Sequence, residues 1–307
     1  MVKKFACFDV GGTFIKYGVV NEAGELLCDS KFPTPEDDCG ELIPKLIAEK
    51  TGELKAGYAL SGVGISTAGQ VDHDKGVIIF ATDNLPKYTG TKLAELVRNM
   101  TGLECRVEND VNAAALGEMW KGAAKGVKTF VCMTLGTGIG GAIIIDGKLL
   151  RGVGGSAGEL GHMITNFEGE PCTCGMKGCF ERYSSTLALV RSYVSRKRAA
   201  GEDISGISGE EVMERVRAGE YIANEVYDRF LDQVVAGIAS LTHILDPGLF
   251  IIGGGLSNEG KPFFDEINRR LQNAIMPSFA KHTRVVQAEL KNKAGLLGAC
   301  YSIMNGI

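Results

Sequence analysis

The sequence has 307 residues, 45% of them hydrophobic and 23% charged, with 42 glycines and a formal net charge of −4. That length is ample for two lobes with separate cores, the composition is that of an ordinary globular protein, and the charge makes no electrostatic case for nucleic acid or an anionic membrane. No apolar run approaches the roughly 18 residues of a membrane-spanning helix, and Asp9 interrupts the N-terminal apolar stretch before a signal-length core forms, so the expected location is the cytoplasm.

Residues 4–10 read as an apolar strand ending in Asp9, Val10, Gly11, Gly12 and Thr13. A second strand over 14–20, a turn at 21–24 and a third strand to about residue 32 follow. Two strands joined by a glycine pair make a hairpin that can cradle a phosphate, with Thr13 adding a hydroxyl and Asp9 a carboxylate for water-bound Mg²⁺. An ordinary hairpin turn has the same sequence. A helix is expected over 40–51 and strands over 56–66 and 76–81, the first opening into Thr67, Ala68 and Gly69, the second into Thr82. Small residues at strand ends let a ligand approach the backbone. Residues 91–100 read as an amphipathic helix capped by Thr91.

The strand at 106–110 ends in Asn109 and Asp110, and an alanine-rich helix follows over 111–120. Asp110 at a helix start is either a cap or a general base that takes the proton of a substrate hydroxyl. Residues 129–135 form a buried strand that leads into Gly136, Thr137, Gly138, Ile139, Gly140 and Gly141. The run matches a dinucleotide-binding pattern, but a strand with an Asp-Gly turn at 146–147 follows it. A Rossmann turn needs a helix there. Strand, glycine turn and strand instead repeat the architecture at 9–20, a rough internal duplication. No Walker-type P-loop is present.

Cys172, Cys174 and Cys179 lie within eight residues, interleaved with Gly175 and Gly178. Such a loop folds back tightly, and with His162 upstream it offers a Cys₃His set for a structural zinc. Three buried or disulfide-bonded cysteines are the alternative. Glu159 and Glu181 bracket the loop, placing carboxylates beside a rigid scaffold, although exposed glutamates are often only solvated surface. Cys7, Cys132 and Cys300 sit in apolar segments and read as buried thiols. Helices are expected over 184–199, 209–218 and 222–245, the last with Val226, Phe230, Val234, Ile238, Leu241 and Leu245 on one face. The strand 249–252 runs into Gly253, Gly254 and Gly255, which permit flat approach of an adenine or ribose or mark a crowded turn. A helix over 261–275, a strand over 284–290 and a helix over 294–304 complete the chain, with Gly295 and Gly298 signalling close packing.

Taken together, the run at 9–13, Glu108-Asn109-Asp110, the glycine run from Leu135, Glu159 to His162 and the cysteine loop through Glu181 resemble the ROK family (repressors, open reading frames, sugar kinases) over essentially the whole chain. The resemblance implies an α/β, actin-like ATPase (ribonuclease H-like) fold of two lobes with a central cleft. The small lobe would be 1–116 completed by 293–307, and the large lobe 117–292. It implies an ATP-dependent kinase acting on a sugar 6-hydroxyl. Asp110 is then the base, and Gly69, Thr82, Asn109, Glu159, His162 and Glu181 hold the sugar. Asp9, Gly11, Gly12, Thr13, Gly136, Thr137, Gly138, Gly254 and Gly255 take the nucleotide with Mg²⁺, while His162, Cys172, Cys174 and Cys179 hold zinc. Family repressors carry a DNA-binding segment before the first glycine motif, for which the nine residues through Asp9 leave no room. A sugar sensor without chemistry would have no use for Asp110 and two phosphate hairpins. Glucose is the expected substrate, N-acetylmannosamine and N-acetylglucosamine the alternatives, and a homodimer the expected assembly.

Overall fold

A computed structural model describes residues 2–307. They divide into two compact units, one running to Lys128 and adding Ile143–Ala157 and Glu289–Ile307, the other made of Thr129–Ala142 and Gly158–Ala288. In chain order the strands are β1 (Lys4–Val10), β2 (Phe14–Asn21), β3 (Leu26–Pro33), β4 (Leu60–Thr67), β5 (Gln70–Asp72), β6 (Val77–Phe80), β7 (Cys105–Asn109), β8 (Phe130–Leu135), β9 (Ile139–Ile145), β10 (Lys148–Leu149), β11 (Leu249–Gly253) and β12 (Arg284–Gln287). One five-stranded sheet has the order β3-β2-β1-β4-β7 and the other β10-β9-β8-β11-β12. Each therefore reads third, second, first, fourth, fifth, the duplication anticipated from the two glycine hairpins.

In the first unit β1 pairs antiparallel with β2 and parallel with β4, which pairs parallel with β7. The two-residue period of β1 sends its side chains to opposite faces. Ala6, Phe8 and Val10 join a core with Ile43 and Ile47 of the helix Cys39–Lys55 and with Leu93 and Val97 of the helix Leu93–Thr101. Phe5 and Cys7 face the other way, against Leu296, Leu297, Ala299 and Cys300 of the closing helix Ala294–Asn305. That helix packs on the helix Asp110–Lys121. A Cβ at Gly298 would stand 1.7 Å from the Ala113 carbonyl oxygen, so the close packing expected of this glycine is real. Glu118, 1% exposed, accepts the Ala123 and Leu290 amides at 2.8 and 2.9 Å and so ties the end of one helix to the approach of the other.

The second unit is built on β8, β11 and β12, parallel at both β11 ladders. Its long helix, Tyr221–Leu245, buries Val226, Phe230, Val234, Ile238 and Leu241 as its periodicity predicts, while Leu245 remains half-buried. The helices Thr186–Ala199, Gly209–Arg217 and Lys261–Ala274 pack against it.

Four local expectations change. The strand expected from residue 56 starts only at Leu60, the preceding helix running on to Lys55. Thr91 caps nothing: the helix begins at Leu93 with Lys92 in the cap position, and the Thr91 amide bonds the Tyr88 carbonyl in the preceding turn. The helix expected over 184–199 is broken at Ser185, whose side chain caps the second piece at the Ala188 amide, 3.2 Å away. The strand expected over 284–290 ends at Gln287 and gives way to a 3₁₀ turn at Lys291–Lys293. Cys7, Cys132 and Cys300 are buried as expected, and no disulfide occurs among the described residues.

Candidate active site and metal centre

In the first unit the base candidate sits where β7 meets the helix Asp110–Lys121. Asn109, not Asp110, is the capping residue: its Oδ1 accepts the Val111 and Asn112 amides at 3.0 and 3.1 Å. Its amide nitrogen donates to the Gly69 carbonyl at 2.9 Å and to Asp110 Oδ1 at 3.0 Å. With Asn109 as the cap, Asp110 has one oxygen engaged locally, also by the Val111 amide at 2.9 Å. Burial first, and then the neighbouring Asp9 carboxylate, push its pKa up to about 6. A carboxylate with that affinity accepts a proton from a substrate far better than a solvated one.

Beneath this turn lies a charged network that sequence reading did not assign. Glu108, 2% exposed, accepts the Asn109 amide at 2.9 Å and Asn112 Nδ2 at 3.0 Å. Its other oxygen is held by Arg151 at 2.5 Å, with His73 Nδ1 at 3.7 Å. Burial and the Arg151 cation hold the His73 pKa down. Arg151 Nε, His73 Nδ1 and Asn112 Oδ1 are buried without hydrogen-bond partners, a pattern that fits enclosed water. Glu108 and Asn112 are near neighbours in sequence, across the junction of β7 and the helix. The other partners of Glu108, Arg151 and His73, are distant in sequence.

Asp9 leaves β1 on the face of the closing helix. Ser66 donates to its Oδ1 at 2.8 Å and Lys16 lies 3.6 Å from its Oδ2. A Cβ on Gly295 would come within 2.6 Å of the carboxylate, so this glycine lets the start of the closing helix approach the acid, a contact favoured by the helix dipole. Gly11 closes the hairpin through its amide to the Phe14 carbonyl at 3.2 Å, and Gly12 lies against Asn84. Thr13 offers its carbonyl to Thr34 at 3.0 Å. Gly69 is packed under the end of β6, where a Cβ would stand 2.6 Å from the Phe80 carbonyl oxygen, and Thr82 is exposed two residues beyond that strand.

In the second unit His162, Cys172, Cys174 and Cys179 place one ligand atom each within 4.8 Å of one another. A zinc tetrahedron with bonds of about 2.3 Å has edges of about 3.8 Å. The Cys174–Cys179 sulfur separation of 3.5 Å and the Cys172 to His162 Nδ1 distance of 3.8 Å match those edges. The loop closes through Gly178, which has φ +73° and whose Cβ would strike the Asn166 carbonyl, so only glycine serves there. Burial and the adjacent thiols push Cys179 up to about 12, burial raises Cys172, and the Met176 amide lowers Cys174. Three thiols so close cannot all ionise without a cation among them.

Glu181 touches both motifs of this unit. Its Oε1 accepts from Cys172 Sγ at 3.2 Å and lies 4.0 Å from His162 Nδ1. A Cβ on Gly138 would come within 2.7 Å of its Oε2, so this glycine admits the carboxylate. The Gly136 carbonyl accepts the Thr186 amide at 2.8 Å, and Thr137 is exposed on the turn. Glu159 is exposed at the start of the short helix that carries His162, and its carbonyl accepts the His162 amide at 3.0 Å. At Gly254 the backbone has φ +88° and a Cβ would meet the Leu135 carbonyl oxygen at 2.4 Å, whereas at Gly255 there is open space.

Comparison with known proteins places the chain in a family. The ROK family model matches residues 5–305. A glucokinase of Streptomyces coelicolor is 38% identical over 303 residues, covering 95% of this chain and 94% of that protein. An N-acetyl-D-glucosamine kinase of Vibrio atlanticus is 32% identical, covering 96% and 97%. The crystal structure of a ROK family glucokinase from Streptomyces griseus, in complex with glucose and AMPPNP, is 37% identical, with a TM-score of 0.81 over 97% of this chain and 98% of that one. The fold is thus the α/β fold of the ROK kinases, the actin-like ATPase fold.

Proposed function

The chain belongs to the ROK family, and on that premise we propose that it is an ATP-dependent hexose kinase that phosphorylates a sugar 6-hydroxyl, with glucose the favoured substrate. The observation that carries this is Asp110, a largely desolvated carboxylate at a helix start whose pKa is raised to about 6. Phosphoryl transfer to an alcohol needs little from the protein beyond positioning, charge stabilisation and one base. Asp110 takes the hydroxyl proton. Asn109 fixes its direction through the Nδ2 to Oδ1 bond of 3.0 Å. Asn109, Gly69 and Thr82 in the first unit, and Glu159, His162 and Glu181 in the second, are the proposed partners of the sugar. Asp9, Gly11, Gly12 and Thr13, and separately Gly136, Thr137, Gly138, Gly254 and Gly255, are the proposed nucleotide contacts.

Mg²⁺, when bound, neutralises and orients the transferring phosphates. Asp9 fits the task of holding its water, because among the described residues its Oδ2 has only Lys16, 3.6 Å away, as an ion partner. Zinc would be held by His162, Cys172, Cys174 and Cys179 as a closed structural site. Among the described residues no helix is long and apolar enough to cross a membrane, and a cytoplasmic homodimer is part of the proposal.

The Vibrio relative supports a second reading, an N-acetylhexosamine kinase. Glucose and the N-acetylhexosamines differ at carbon 2. Coupled ADP release with Mg-ATP against glucose, mannose, N-acetylglucosamine and N-acetylmannosamine, beside a zinc determination, separates the readings. Turnover led by glucose supports the first, and turnover led by an N-acetyl sugar the second. Folded, zinc-loaded protein inactive on all four would defeat both.

A further inference from the structure

The second unit also contains a cleft of about 420 Å³ that none of the proposed sugar, nucleotide or metal residues lines. Its walls are the short helix Glu181–Ser184, the helix Thr186–Ala199 and the long helix Tyr221–Leu245, with Glu170 at the edge. Four guanidinium groups line it, Arg182, Arg191, Arg196 and Arg229, against the carboxylates of Glu170 and Glu225. Glu225 is already committed. Arg196 reaches its two oxygens at 2.8 and 2.6 Å, and Arg229 lies 3.3 Å away.

Arg182 and Arg191 are differently placed. Neither forms an ion pair among the described residues. Arg191 donates through Nη2 to the Arg182 carbonyl, and Arg182 Nε is buried with no partner at all. Burial and the Arg182 cation both pull the Arg191 pKa down, opposed by Glu170. Two partly desolvated cations facing each other are unfavourable unless an anion joins them. Planar guanidinium forks bind phosphate oxygens bidentately, and a dianion offsets the surplus of two positive charges where a carboxylate would offset one. The cleft has the size of small-molecule sites. Leu189, Val226 and Phe230 give it an apolar wall, and Ser192 and Ser195 put hydroxyls at its mouth.

We propose that this cleft binds the phosphate monoester of a small hydroxylated molecule through Arg182 and Arg191. The site stands apart from the proposed kinase chemistry, but Arg182 follows Glu181 in one four-residue helix. An occupant therefore bears on the carboxylate that meets Cys172.

The test is isothermal titration of the full chain with inorganic phosphate, glucose 6-phosphate and glucose, repeated in Arg191→Gln, Ser192→Glu and Asp110→Asn. The proposal expects glucose 6-phosphate to bind more tightly than inorganic phosphate. It expects Arg191→Gln and Ser192→Glu each to weaken that binding by about tenfold or more, through loss of a charge-assisted hydrogen bond or addition of a like charge. Asp110→Asn should leave it intact. Because Ser192 is exposed, its variant keeps the test alive if Arg191→Gln misfolds. Absence of binding, binding of inorganic phosphate alone, or affinity unchanged in both cleft variants overturns the site. Glucose 6-phosphate binding that saturating glucose abolishes, and that both cleft variants retain, places the ligand at the proposed catalytic residues instead, and also overturns it.

Discussion

At the turn carrying Asp110, the bonds that hold the proposed base come from the chain itself. Asn109 caps the helix, Glu108 braces Asn109 and Asn112, and Arg151 neutralises Glu108. In the loop from His162 to Cys179 the ligand atoms are gathered just as closely, yet three thiols crowd one small volume. The first region is complete without a ligand and keeps one group, Asp110, in a costly state. The second crowds three thiols that could ionise together only with a cation among them. Rigidity at the first is built from hydrogen bonds; at the second the proposed zinc would supply it.

The largest effect is expected at the charged network. Arg151→Met leaves Glu108 buried without its cation and should cost about 3–5 kcal/mol of stability, measured by urea unfolding. Arg151→Lys should recover part of it. A loss under about 1 kcal/mol would mean that the network is not what holds the turn.

Metal removal should act only on the other region. Stripping zinc with a chelator, or Cys174→Ser, should lower the thermal midpoint by on the order of 5 °C. Added zinc should restore the stripped protein but not the variant. A midpoint indifferent to metal would show that the loop is self-sufficient.

The pH profile sharpens the contrast further. With Asp110 near 6, kcat/KM should be flat above that value and fall about tenfold per pH unit below it, as the base becomes protonated. Asp9→Asn removes a neighbouring negative charge that raises this pKa, so whatever activity remains should keep its acidic limb at lower pH. A limb that stays in place would remove Asp9 from the account.

The smallest expected effect separates two adjacent glycines. Gly254→Ala should cost about 1–3 kcal/mol, because its positive φ and a backbone oxygen 2.4 Å away both resist a side chain. Gly255→Ala, facing open space, should stay within about 0.5 kcal/mol.

The parts written in local sequence were legible. The glycine hairpins, the cysteine spacing and the apolar face of Tyr221–Leu245 each follow from a short run of residues, and the repeated hairpin gave the duplication, though not the strand order that the two sheets share. What stayed hidden depends on distant chain. Nothing near Glu108 names Arg151 or His73 as its neighbours. Nothing near Gly295 names Asp9, and nothing near Gly138 names Glu181. Thr91 failed as a cap because it lies in a tight turn and the helix starts only at Leu93, with Lys92 in the cap position, and Ser185 succeeded as one inside what reads as a continuous helix. Local propensity loses where a turn or a neighbouring segment supplies a better partner.

A single variant of Asp110 probes its role as base from two sides. Asp110→Asn should reduce sugar-dependent ADP release by a factor of about 10³ while sugar still binds. A carboxyl raised on folding contributes no penalty below its unfolded pKa of about 4, and its full penalty above the folded value near 6. The variant should therefore be more stable than the parent by on the order of 1–3 kcal/mol at pH 8 and equal to it at pH 4. Lost turnover with gained stability at pH 8 is the predicted result. Normal turnover in Asp110→Asn would contradict the assignment of the base outright.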